Sequence, residues 1–99
     1  EGYDFVVARA VSKLPVLLEY TIPFVKMEGF FIAYKGPEYE FELKESEKAL
    51  KELGAELYKT YNFKIEEFAM ERNILLFKKI YKTPSKYPRR AGMPIKKPL

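Results

Sequence analysis

Three short apolar runs that do not alternate, and one longer stretch that repeats every three to four residues, organise the first eighty positions of the chain. The runs are Phe5-Val6-Val7-Ala8, Phe30-Phe31-Ile32-Ala33-Tyr34 and Ile74-Leu75-Leu76-Phe77. Continuous runs of strand formers predict strands buried on both faces. After the first run, Leu14, Leu17, Leu18, Ile22 and Val25 predict a helix with Ser12 as its cap. Pro15 suits its first turn, where a missing N–H leaves nothing unpaired, and Pro23 bends or ends it. Lys26-Met27-Glu28-Gly29 reads as a turn.

Lys35-Gly36-Pro37 stops the second run. Tyr39, Leu43, Ser46, Leu50 and Leu53 then recur at spacings of four, three, four and three, which predicts one helix. Glu38, Glu40 and Glu42 sit at its positive end, Lys48 and Lys51 nearer the negative end, and Gly54 is placed to terminate it in a left-handed conformation. Leu57, Tyr61, Phe63 and Ile65 share the parity of a half-buried strand, with Lys59 as the exception, which suits a sheet edge. Glu66 and Glu67 begin a turn, and the last two strands pair antiparallel.

The order strand, helix, strand, helix, strand, strand implies an α/β fold: a parallel sheet closed by a terminal hairpin. The first run reads as a central strand, yet no earlier strand precedes it to pair with it. The expectation is the second half of a doubly wound domain over residues 1–81, with a preceding half in the same polypeptide. Residues 82–99 form a separate basic, proline-rich tail.

Charge sharpens that division. The tail holds Lys82, Lys86, Arg89, Arg90, Lys96 and Lys97, four of the seven prolines and no acid. The chain's formal charge is +4, so the rest sums to −2. A basic extended appendage on a mildly acidic body suits a polyanion, most simply RNA or DNA. At 99 residues there is room for one core. No cysteine and no histidine occur, which excludes disulfides, cysteine- or histidine-ligated metals and a histidine general base. No leader and no apolar span are visible, so the expected setting is cytoplasmic.

In open α/β sheets, ligands bind beyond the C-terminal ends of parallel strands. Arg9 follows the first strand and Lys35-Gly36 the second. Either these cations converge on one crevice for a phosphate, a carboxylate or nucleic acid, or they are solvated strand ends. Arg72, beside Glu71, either forms a local ion pair or reaches a substrate. Phe77, Tyr81 and Tyr87 either stack on bases or anchor the tail. The glutamates from Glu38 to Glu47 read as a helix's wet face, with no metal expected. None of the five glycines belongs to a phosphate-binding loop.

Phe5-Val6-Val7-Ala8-Arg9-Ala10-Val11, Lys35-Gly36-Pro37, Glu71-Arg72 before an apolar strand, and Lys86-Tyr87-Pro88-Arg89-Arg90-Ala91-Gly92-Met93-Pro94-Ile95-Lys96-Lys97-Pro98-Leu99 follow one another in that order. This succession resembles the C-terminal half of the bacterial small-subunit ribosomal RNA methyltransferase G family, also called glucose-inhibited division protein B. The resemblance implies strands four to seven of a Rossmann-like class I methyltransferase sheet, the last antiparallel. It also implies methylation of guanine N7 in 16S ribosomal RNA with S-adenosylmethionine as cofactor. By position, Arg9 and Lys35 are the expected catalytic residues, and Arg9 is a candidate cofactor contact. Lys35, Arg72, Lys86, Arg89, Arg90, Lys96 and Lys97 are expected on RNA. The family's glycine-rich cofactor loop is absent from the chain, so the 99 residues alone are expected to be inactive. The contrasting expectations are a non-catalytic basic RNA-binding module and an enzyme of the same fold with another substrate.

Overall fold

The computed structural model describes residues 2–9, 13–36, 39–65 and 70–99, the side chains at positions 65, 70 and 71 excepted. The expected Ser12 cap, the Pro37 start, Glu38 and the Glu66-Glu67 turn lie outside these residues, as does the side chain of Glu71. The elements are β1 (Tyr3–Arg9), α1 (Leu14–Thr21), a 3-10 turn (Ile22–Phe24), β2 (Val25–Lys35), α2 (Glu40–Glu45), α3 (Glu47–Leu53), β3 (Ala55–Ile65), β4 (Met70–Lys79) and α4 (Met93–Lys96).

The four strands form one sheet in the order β1-β2-β4-β3. β1 runs parallel to β2, and β4 inserts antiparallel to both β2 and β3. This mixed α/β sheet is compatible with the C-terminal half of a Rossmann-like methyltransferase, and β3 lies at the expected edge. The helices pack on one side of it. Leu14, Leu18 and Ile22 from the α1 segment and Leu53 from α3 meet Phe31, Leu75 and Phe77 from the sheet, all fully buried. Phe31 and Phe77 stack with ring centres 6.0 Å apart. Among the described residues no helix is long and apolar enough to cross a membrane.

Several local expectations shift. β1 is buried on one face only: Val6 and Ala8 pack against the core, while Phe5 and Val7 stay more than half exposed. Among the described residues β1 pairs with β2 alone and stands at the edge of the sheet, where the expected preceding half would join it. α1 ends at Thr21, since Pro23 brings no N–H to continue it and a 3-10 turn takes over. Residues 26–29 are part of β2 rather than a free turn, although Glu28 has a φ of 68° and the register with β1 slips there. The predicted second helix breaks into two at Ser46, whose hydroxyl donates to the Glu42 carbonyl at 2.7 Å. Gly54 ends α3 with a φ of 83°, as the sequence predicts. In β3 a bulge between Leu57 and Lys59 reverses the alternation, so Leu57 packs on the core while Tyr61 and Phe63 face the open side.

Candidate functional site

Alternation along the strands sorts their chemistry onto two faces. In β2, Phe31, Ala33 and Lys35 are buried under the helices, while Phe30, Ile32 and Tyr34 point to the open face. Arg9 stands in register with Tyr34, Tyr34 with Ile74, and Ile74 with Tyr61. One row further along, Arg72 stands opposite Phe63. Where β1 and β2 end, Arg9, Tyr34, Phe63, Arg72 and Ile74 therefore line an open cavity of about 450 Å³. Both arginines and both aromatics are exposed. Guanidinium groups beside aromatic faces suit a ligand that pairs phosphate with a planar base.

Lys35 lies on the other side of the sheet. It is buried, and its Nζ donates to Glu42 Oε1 at 2.7 Å. The same oxygen accepts the Leu14 N–H at 2.8 Å, at the start of a helix whose Lys13 cap offers no side-chain bond of its own. Arg9 and Lys35 thus share one end of the sheet and occupy opposite faces. Arg72 lines the same cavity as Arg9. Behind the crevice, buried Asn73 accepts from Asn62 Nδ2 at 2.8 Å and donates to the Gly36 carbonyl at 2.9 Å. That chain of bonds ties β3, β4 and the exit of β2 together.

The tail packs on the body instead of extending from it. Ile80 and Tyr81 donate backbone N–H groups to the Gly54 carbonyl, Thr83 donates to the Leu53 carbonyl, and the buried Tyr87 donates its hydroxyl to Glu52. Arg89 is the main anchor. Its backbone N–H and its Nε donate to Glu19 Oε2 at 2.8 and 2.9 Å, and its Nη2 to Oε1 at 2.8 Å. Glu19 is fully buried, while the Arg89 side chain keeps 26% exposure. Lys86, Arg90, Lys96 and Lys97 face solvent.

A family model described as rRNA small subunit methyltransferase G matches residues 1–75. The chain belongs to that family. Three relatives bear the name ribosomal RNA small subunit methyltransferase G. The protein of Brevibacillus brevis is 50% identical over all 99 residues, that of Alkaliphilus oremlandii 48% and that of Acetivibrio thermocellus 50%. The chain covers 42%, 41% and 40% of these relatives respectively, so it spans about two-fifths of their length.

Within this family frame, the ionisable groups divide by burial. Burial works to raise the Glu19 pKa, but hydrogen bonds and charge from Arg89 outweigh it and hold the carboxyl below its usual value. Arg89 is raised in turn by the same pairing. Burial lowers the pKa of Lys79, whose Nζ donates to the carbonyls of Ile22 at 3.2 Å and Val25 at 2.7 Å. Sequence reasoning missed Tyr34, Phe63, Glu42, Asn73 and Glu19. Strand alternation carried a signal for Tyr34, since it neighbours Lys35 and must face away from it. Nothing local marks Glu19, which lies 70 positions from Arg89.

Proposed function

We propose that the chain is the substrate-facing half of a methyltransferase acting on ribosomal RNA of the small subunit, and that its target atom is a guanine N7. The observation that carries this reading is the Arg9–Arg72 crevice, floored by Tyr34 and Phe63, at the C-terminal ends of β1 and β2 in a chain of this family. Guanine N7 has a free lone pair and no proton. Methylating it asks the protein for alignment and charge placement, not for a general base. The lack of histidine is no obstacle.

Each residue has a stated task. Arg9 and Arg72 hold phosphates flanking the target, and Tyr34 and Phe63 offer faces for the base. Lys35 acts from behind the sheet by fixing Glu42, which holds the start of α1 beside the crevice. Asn73 keeps the Gly36 exit in place. S-adenosylmethionine would supply the methyl group. The residues present do not form its cradle: the chain has no glycine-rich turn, and the described lining of the crevice holds no carboxylate to bind ribose hydroxyls. The main cofactor site then belongs to the remainder of a full-length protein, pairing with the β1 edge and covering its exposed Phe5 and Val7. The 99 residues alone should transfer no methyl group, and the working protein would act in the cytoplasm.

The test uses the full-length protein, small-subunit ribosomal RNA and methyl-labelled S-adenosylmethionine. The modified base is mapped by borohydride and aniline cleavage, which cuts at 7-methylguanosine. One guanine should be labelled by the parent protein, and Arg9→Gln should reduce the rate at least tenfold. Label at another atom, or RNA binding with no methyl transfer, would contradict this reading, the latter in favour of a non-catalytic RNA-binding module.

A further inference from the structure

The geometry points to a second RNA-contact surface, formed by the docked tail at the end of the sheet opposite the crevice, in which Arg89 is a positioning residue and not a phosphate ligand. This rests on the RNA substrate proposed above.

The location follows from the chain path. The crevice lies where β1 and β2 finish and where Arg72 lies near the start of β4. The tail leaves from the other end of β4, where Lys79 pairs with Ala55 at the start of β3. It stays there, bonded to Leu53 and Gly54 at the end of α3 and to Glu19, two residues before the end of α1. The molecule's longest extent is 45 Å, within the reach of one folded RNA.

The fixed shape follows from Arg89. Besides Glu19, its guanidinium donates to the Lys97 carbonyl at 2.6 Å, which closes residues 89–97 into a loop. Pro94 inside that loop is buried, and Leu99 packs on the core. With Arg89 bound to a buried carboxylate, the outward cations of residues 82–99 are Lys82, Lys86, Arg90, Lys96 and Lys97, the last three of them within the loop, and these residues contain no acid. Three cations held on a folded loop bind a polyanion with less ordering cost than the same three on a free tail. Two sites on one RNA reinforce each other. The phosphate backbone is the partner this array fits, since it has charge and no base-reading geometry.

The experiment measures the affinity of the full-length protein for small-subunit ribosomal RNA across a salt series. The triple variant Arg90→Gln/Lys96→Gln/Lys97→Gln should weaken binding at least tenfold and lower the log–log salt slope by about 2 to 3, with its melting temperature unchanged. Arg89→Gln should lower the melting temperature and unprotect the tail's amides to hydrogen exchange, which the triple should not. An unchanged affinity and slope in the triple, while Arg9→Gln still weakens binding, overturns the tail surface and leaves the crevice reading intact. A parent protein that binds this RNA no better than an unrelated polyanion overturns both. A triple that destabilises the fold as Arg89→Gln does overturns the division between anchor and contact.

Discussion

Arginine appears at both ends of this molecule and does different work at each. At the crevice, Arg9 and Arg72 are exposed beside Tyr34 and Phe63 on the open sheet face. At the far end, Arg89 makes bonds to a fully buried Glu19 and to the Lys97 carbonyl. The difference is set by neighbours. The Arg89 guanidinium meets a desolvated carboxylate and is committed to the fold, whereas the crevice arginines stand on the exposed open face. Counting positive charge in the tail overstates what it offers RNA, because its most anchored cation is structural.

The sharpest way to break this contrast is to remove the far-end pair. Arg89→Ala in the full-length protein strips the guanidinium from the buried Glu19 carboxylate, and should cost about 3–5 kcal/mol in a denaturant titration. Arg9→Gln should barely move stability but lose about 1.5–3 kcal/mol of RNA affinity, the worth of a hydrogen bond to a charged group. If instead Arg9→Gln unfolds the protein and Arg89→Ala does not, the two ends have been assigned the wrong way round. Next in size is Asn73→Leu, which strips partners from the Gly36 carbonyl and from Asn62. It should cost about 1–3 kcal/mol, with a larger rise in KM for RNA than a stability change of that size explains.

Acid gives the finest probe. The folded Glu19 pKa lies below its unfolded value, so its contribution is complete above the unfolded value of about 4.3 and is lost as pH falls through the folded value. The exchange protection of the Arg89 amide, bonded to Glu19 Oε2, should therefore be high at pH 6 and fall as the carboxyl protonates. Lys79 responds to pH in the opposite range. Its pKa is lowered by burial, so the folded state is penalised while the ammonium is charged, and the penalty eases as pH rises through the folded value. Amides near Lys79 should gain, not lose, protection at alkaline pH.

What the sequence revealed and what it hid follow physical lines. Apolar runs without alternation marked the strands, and Gly54 marked the end of α3, because each depends on a few adjacent residues. The position of β3 at the sheet edge was readable from its mixed polarity. The break at Ser46 was hidden because the helical spacing runs through it, while its hydroxyl folds back onto the Glu42 carbonyl. The bulge after Leu57 was hidden for a related reason: one extra residue reverses which face each later side chain takes. Arg9 and Arg72 were nominated by their place at strand ends. Lys35 was nominated by the same rule, but successive strand residues face opposite ways, and Tyr34 holds the crevice position. The Glu19–Arg89 anchor joins residues that only the complete fold brings together.

Photocrosslinking shows whether the target nucleotide enters the Arg9–Arg72 crevice. Tyr34 in the full-length protein is replaced by a benzophenone-bearing amino acid and irradiated on small-subunit ribosomal RNA. A crosslink is expected at or next to the guanine that the parent protein methylates. A crosslink confined to distant RNA, or made only within the protein itself, would contradict it.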